Sequence, residues 1–156
     1  MVRVPDWPKL PASIHLDRVA GVVQDSRGLF YAVHRGGSPM ICLNPDGTLR
    51  RTVGAGVHRK SVAFLWFKGT IRDKMEELYF LHGLHVDPWD NVWVTDIGRH
   101  LVMRFDPEGR LTLTLGVDGV PGCDETHFNQ PTHACVAPTG EIFVTDGYGN
   151  ARVVKF

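Results

Sequence analysis

Cysteine is scarce in this sequence, and so is any long uninterrupted apolar run. The three cysteines, Cys42, Cys123 and Cys135, are odd in number and irregularly spaced, which fits neither a disulfide framework nor a CxxC metal knuckle. No apolar stretch is long enough to span a bilayer, and the first residues lack the apolar segment of a secretory signal peptide. We therefore expect no membrane span and no export, and we favour a cytoplasmic location.

An excess of charge of either sign is also missing. Lys and Arg number 17 together, and so do Asp and Glu, so no basic stripe predicts binding to nucleic acid or to an anionic membrane surface. Composition therefore excludes these two partners without naming another.

What the sequence does contain is one phrase written twice. Residues 82–96 and 132–146 align without a gap and both end in Val-Thr-Asp, which indicates an internal repeat of about 50 residues. Residues 22–33 form a further, weaker copy, in which Val22 corresponds to Leu84. In chain order, residues 22–33, 82–96 and 132–146 are the first, second and third copies. The copies lack the amphipathic helices of ankyrin or tetratricopeptide arrays, so a propeller is favoured well ahead of those repeat classes.

Each copy contains short apolar segments separated by polar turns. In the second copy these segments lie at 84–86, 92–95, 101–105 and 111–115, and four short strands per repeat are typical of one propeller blade. We therefore predict an all-β fold, a β-propeller with about three blades at approximately 14–55, 80–116 and 128–156. Three blades do not close a ring, and open sheet edges invite self-association. A fragment of a longer protein explains this most simply, and a homodimer of half-propellers is the alternative.

Residues 57–79 interrupt the repeat. The segment has a helix-like stretch, for which we predict a short helix at about 70–78. It is either a lid or packing arm, or an insertion without a role.

Two histidines stand where the innermost strands of blades begin. His82 opens the second copy, and His133 lies one residue away from the corresponding place in the third. Because inner strands of successive blades point at one channel, side chains at such positions can build a shared site. Neutral imidazole is a good zinc ligand. An isolated histidine is more often a hydrogen-bonded structural residue, however, and this alternative stays open on spacing alone.

Several longer runs resemble one known family. They are residues 82–106, 115–122, 127–132 and 144–154, and they are similar in order and spacing to peptidyl-α-hydroxyglycine α-amidating lyase and its bacterial NHL-repeat relatives. The likeness covers about 14–55 and 80–156. It implies a six-bladed NHL-type propeller, about half of it present, that cleaves a peptidyl-α-hydroxyglycine into a peptide amide and glyoxylate. It also implies zinc in the channel and a structural calcium.

The resemblance implies a role for five residues. His82 matches one of three zinc histidines, Tyr148 a tyrosine that transfers a proton, and Arg35 an arginine near the substrate. Val22 and Leu84 match residues whose main-chain oxygens hold calcium. His133 is a further candidate neighbour of this site.

The residue types suit this chemistry. Zinc acts as a Lewis acid on a substrate oxygen, a base removes the hydroxyl proton, and the carbon–nitrogen bond then breaks. A cation such as zinc or Arg35 would favour the phenolate that Tyr148 needs as a base. On the residues alone, the favoured interpretation of Tyr148 is a phenol packed in a turn, and that of Arg35 is a surface charge.

Asp96 and Asp146 close strands at turns, where aspartate most often caps main-chain amides, so we predict structural roles for both.

The chain also departs from the family. The second and third zinc histidines and a second arginine follow the Asp-Gly-Tyr motif in the family, beyond the residues present here. Asn129 and Gly149 stand where secretory members have a disulfide, and the loss of both cysteines suits a reducing compartment. Two functions are therefore open: a zinc-dependent lyase acting on a peptide-like substrate, and a non-catalytic propeller that binds a peptide or a protein.

Overall fold

Short antiparallel strands make up the part of the chain that the computed structural model describes, residues 2–61 and 79–156. The first sheet contains β1 (Gly21–Gln24), β2 (Phe30–Val33), β3 (Met40–Leu43) and β4 (Leu49–Thr52) in that order. The second contains β5 (Leu81–Val86), β6 (Val92–Asp96), β7 (Leu101–Phe105) and β8 (Leu111–Leu115). The third contains β9 (His133–Val136), β10 (Ile142–Asp146) and β11 (Arg152–Lys155). The predicted all-β fold of about three blades is confirmed, and the helix predicted at 70–78 lies outside the described residues.

The same hairpin turn recurs in the first two sheets. Between β1 and β2, a carboxylate oxygen of Asp25 accepts the Leu29 main-chain N–H at 2.8 Å. Between β5 and β6, Asp87 accepts the Asn91 main-chain N–H at 2.9 Å in the same way. An aspartate in a turn satisfies main-chain amides that have no strand partner. These two copies of the sequence repeat therefore form the same type of hairpin turn, capped by an aspartate.

Apolar residues between neighbouring sheets form two cores. The core between the first and second sheets includes Tyr31, Val33, Met40, Cys42, Leu81, Val92, Val94, Leu101, Met103 and Phe105. The core between the second and third sheets includes Trp93, Val102, Phe128, Ala134, Val136 and Val144. Each sheet therefore packs face to face on the next, as successive propeller blades do.

The amino-terminal segment covers the face of the first sheet that points away from the second. That face is formed by Phe30, Ala32, Ile41, Leu43 and Leu49. Leu10 and Ile14 pack against it, and the Trp7 ring meets the Phe30 ring edge to face at 5.5 Å between centroids. This contact keeps one apolar sheet face out of water.

The innermost strands β1, β5 and β9 lie side by side, and glycines allow their close approach. A Cβ atom at Gly83 of β5 would lie 2.5 Å from the Thr132 carbonyl oxygen and 2.7 Å from His133 Cα. A Cβ atom at Gly21 of β1 would lie 3.4 Å from Leu84 Cβ. Side chains near the starts of these strands are therefore brought together from different blades.

No helix within the described ranges is long and apolar enough to cross a membrane.

Candidate functional site

His82, the second residue of β5, bridges the second and third sheets. Its Nδ1 lies 2.9 Å from the Thr132 carbonyl oxygen, and its Nε2 lies 3.1 Å from the Tyr148 hydroxyl. A carbonyl oxygen only accepts hydrogen bonds, so the ring proton belongs on Nδ1. The Nε2 lone pair then accepts from the Tyr148 hydroxyl, and it is the ring atom able to coordinate a metal.

Tyr148 lies in the loop between β10 and β11. Its ring meets the His82 ring edge to face, with 5.4 Å between centroids and an interplanar angle of 88°. The loop is held by Asp146, whose buried carboxylate accepts the Asn129 main-chain N–H at 2.8 Å. The Gly149 N–H in turn donates to the Asn129 carbonyl at 3.0 Å. Asn129 and Gly149, the positions matched to a family disulfide, are therefore in direct contact.

Arg35 follows the end of β2 and is partly buried. Its guanidinium carbon lies 5.1 Å from the centroid of the Phe80 ring, a cation–π distance. Burial lowers the pKa of Arg35, and the charge of Arg18 lowers it further, whereas Tyr148 and Asp17 raise it. The Arg35 charge is therefore within electrostatic reach of the tyrosine that contacts His82.

His133 lies beside this group, as the sequence repeat suggests. Its ring centroid is 6.2 Å from that of His85, and His85 Nε2 accepts the Val136 main-chain N–H at 3.2 Å. Partial burial lowers the pKa of His133, and the proximity of His82 lowers it further. Over residues 2–61 and 79–156, no three His, Cys, Asp or Glu side chains cluster so as to hold a metal ion.

Val22 and Leu84 occupy equivalent positions on the inner strands. Val22 pairs with Ala32, and Leu84 pairs with Val94. The turn hydrogen bond from the Asp87 N–H to the Asn91 carbonyl fixes the alternation of the ladder, so Leu84 falls at a non-hydrogen-bonded pair. Val22 is the equivalent residue of the first copy, so it also lies at a non-hydrogen-bonded pair. Their main-chain oxygens therefore point away from the partner strand; their assignment to calcium stays a prediction.

Asp96 and Asp146 act as caps, which confirms the structural roles predicted for them. The Asp96 carboxylate accepts the main-chain N–H groups of Gly98 at 3.1 Å and Arg99 at 3.0 Å. Burial raises the pKa of Asp96 to about 6, although the nearby Arg99 opposes this. Neither aspartate contacts His82 or Tyr148 through a hydrogen bond that the structure describes.

Sequence reasoning missed two residues that shape the site. Thr132 supplies the carbonyl that orients His82, and the 50-residue repeat places Thr132 level with His82, so that signal was available. Phe80 lies under Arg35, and no sequence signal marks it beyond its position two residues before His82.

Comparisons with known proteins identify sequences similar to this chain. The NHL repeat family model matches residues 128–156. A Caenorhabditis elegans protein named probable peptidyl-alpha-hydroxyglycine alpha-amidating lyase is 34% identical over 149 residues, covering 92% of this chain and 42% of that protein. Rattus norvegicus peptidylglycine alpha-amidating monooxygenase is 35% identical over 162 residues, covering 97% of this chain and 16% of that protein. The chain thus spans less than half the length of these relatives.

A solved structure shows the same fold. Virginiamycin B lyase from Staphylococcus aureus superposes with a TM-score of 0.56 at 15% sequence identity, covering 92% of this chain and 43% of that one. At this identity the likeness concerns the fold alone.

Fold and site together define a β-propeller that gathers polar side chains from adjacent blades where its inner strands begin. Within that class, residues 128–156 form an NHL repeat, and the chain is homologous over part of their length to proteins named peptidyl-α-hydroxyglycine α-amidating lyase.

Proposed function

We propose that this chain forms part of the active site of a zinc-dependent lyase that cleaves a peptidyl-α-hydroxyglycine into a peptide amide and glyoxylate. The observation that carries the proposal is the pair of hydrogen bonds on His82. They place a metal-competent Nε2 beside a tyrosine from the next blade. The amidating-lyase names of the relatives support it.

The donor chemistry of His82 fits a zinc ion. The Thr132 carbonyl holds the ring in the tautomer that leaves Nε2 unprotonated, which is the usual way an outer group orients a metal-bound histidine. When bound, zinc would polarise a substrate oxygen as a Lewis acid. Catalytic zinc commonly has three protein ligands, and this proposal assigns one of them. Calcium, held by the oxygens of Val22 and Leu84, would tie two inner strands together.

Tyr148 and Arg35 would act on the substrate directly. Tyr148, as phenolate, accepts the proton of the α-hydroxyl group. The carbon–oxygen double bond of glyoxylate then forms as the carbon–nitrogen bond breaks, and the leaving amide nitrogen takes up a proton. Arg35 holds the negatively charged end of the substrate, since a partly buried guanidinium favours an anionic partner. We place this activity in a reducing compartment, the cytoplasm, because positions 129 and 149 carry no cysteine.

A chimaera tests the proposal. Residues 1–156 replace the matching part of the Caenorhabditis elegans relative, and glyoxylate release from N-benzoyl-α-hydroxyglycine is measured with zinc content. We expect activity that Tyr148→Phe lowers by about 100-fold, in the range of one lost proton-transfer group. His82→Ala should remove both zinc and activity. Arg50→Gln, on the outer strand β4, is the matched control and should change neither.

A folded, zinc-loaded chimaera without glyoxylate release would contradict the proposal. It would instead favour a non-catalytic propeller that binds a peptide or a protein, the second function open from the sequence.

A further inference from the structure

The Arg35 guanidinium is only partly satisfied by its surroundings. Its Nε atom is buried and has no hydrogen-bond partner among the described residues, while Phe80 covers one face of the group. Burying a charged donor without an acceptor is unfavourable. The position therefore favours a ligand that brings an acceptor oxygen.

A second arginine, Arg18, is carried by a segment that contacts the Arg35 main chain. The Arg35 main-chain N–H donates to the Asp17 carbonyl at 2.7 Å, which fixes the segment carrying Arg18 against Arg35. Arg18 has a left-handed backbone with φ 41°, and its Nε lies 3.6 Å from an Asp17 carboxylate oxygen. The Arg18 charge is near enough to lower the pKa of Arg35, after the larger effect of burial.

The internal repeat locates Arg18 independently. In the alignment of the three copies, Arg18 corresponds to Phe80 in the second copy and to Gln130 in the third. Phe80 is the residue under Arg35, and Gln130 shares the left-handed backbone of Arg18, with φ 61°. Each of these positions lies two residues before the level of His82 in its own copy. Arg18 therefore stands at the same end of the inner strands as the His82 site.

We propose that Arg18 and Arg35 together bind a carboxylate at this end of the inner strands, and that Arg18 is a specificity residue for the carboxylate of the α-hydroxyglycine substrate. This inference rests on the proposed function. Two guanidinium groups provide planar donor pairs that match the two oxygens of a carboxylate. Arg18 precedes β1 and is not among the residues to which the resemblance assigns a role.

Binding of a stable carboxylate probe tests the site without requiring catalysis. The probe is N-benzoylglycine, its neutral control is N-benzoylglycinamide, and both are titrated calorimetrically against the full chain. We expect Arg18→Gln and Arg35→Gln each to weaken the carboxylate by about tenfold, with Arg18→Lys in between because it keeps the charge and loses the planar fork. Arg50→Gln should bind as the unsubstituted chain does. Equal binding of probe and neutral amide, or an Arg18→Gln variant that binds like the unsubstituted chain, would overturn the inference.

Kinetics in the chimaera separate this inference from the proposed function. If the lyase proposal is right, Arg18→Gln should raise KM for N-benzoyl-α-hydroxyglycine by about tenfold and leave kcat and the melting temperature unchanged. A fall in kcat at constant KM would contradict a binding role for Arg18 while leaving the lyase proposal intact. Arginine-dependent binding of the probe in a chain without lyase activity would uphold the carboxylate site and refute the lyase proposal.

Discussion

His58 is an imidazole enclosed by apolar neighbours. His58 is 8% exposed, and neither nitrogen of its ring has a hydrogen-bond partner among the described residues. Its ring centroid lies 5.4 Å from that of Phe105. Burial and the charge of Arg99 lower the pKa of His58 from 6.5 to about 4. The folded protein therefore binds this proton less readily than the unfolded chain does.

The sign of the pH dependence follows from that shift. Above pH 6.5 His58 is neutral in both states and costs nothing, whereas between 6.5 and 4 only the unfolded chain is protonated, so stability falls as the pH falls. His58→Leu should remove about 2 kcal/mol of this loss at pH 5. Urea unfolding at pH 7 and pH 5 measures it. Exposed His15, changed to Leu, is the control; an unchanged pH dependence in His58→Leu would contradict the assignment.

At the scale of strands and turns, two equivalent aspartates are satisfied to different degrees. Asp146 also accepts from Asn150 Nδ2 at 2.6 Å and from Arg152 Nε at 3.0 Å. One carboxylate oxygen of buried Asp96 has no partner among the described residues. Asp96 has a pKa near 6 in the folded state against 3.8 for an ordinary aspartate. Its ionisation therefore opposes folding as the pH rises from about 4 to 6.

This difference predicts unequal costs for the same substitution. Asp146→Ala should lower the free energy of unfolding by about 3 kcal/mol at pH 7, because it removes the buried acceptor shared by the Asn129 main-chain N–H, Asn150 and Arg152. Asp96→Ala should cost about 1 kcal/mol, the size of a lost cap, since it also removes the ionisation penalty. Urea titrations of both variants at pH 7 decide the point, and a larger loss for Asp96→Ala would be inconsistent with this account.

The packing of β5 on β9 depends on the missing side chain of Gly83. Gly83→Ala would bring a methyl group against the main chain of Thr132 and His133, and we expect a loss of about 2 kcal/mol from overpacking. Gly37→Ala is the matched control, since nothing lies within 4 Å of a Cβ atom there. Thermal melts compare the two. Equal melting temperatures would show that the space between β5 and β9 accommodates a methyl group, which would contradict the prediction.

Much of the strand pattern follows from the sequence, and the exceptions have physical causes. The predicted strands at 101–105 and 111–115 match β7 and β8, because apolar residues there are bounded by a clear Pro-Glu-Gly turn. The strand predicted at 84–86 begins earlier, at Leu81. A register shift between Leu81 and Leu84 breaks the alternation on which the prediction relied.

For the molecule as a whole, the sequence repeat predicted the blades, and the resemblance predicted that His82, Tyr148 and Arg35 belong to one site. The partners of these side chains were not predictable, because they come from other blades and depend on rotamers. Phe80, which lies under Arg35, belongs to this class. Self-association through open sheet edges, and the roles of zinc and calcium, stay predictions.

The His82 ring connects the fold to the proposed chemistry, so its protonation and metal binding are the most direct test. Long-range proton–nitrogen NMR spectra of the ¹⁵N-histidine-labelled chain report both ring nitrogens during a zinc titration. We predict a His82 protonated at Nδ1, with an Nε2 resonance that moves on Tyr148→Phe and moves again when zinc is added in excess. A His82 protonated at Nε2 would contradict this assignment. So would His82 nitrogen resonances that stay unchanged on zinc addition while those of another histidine shift.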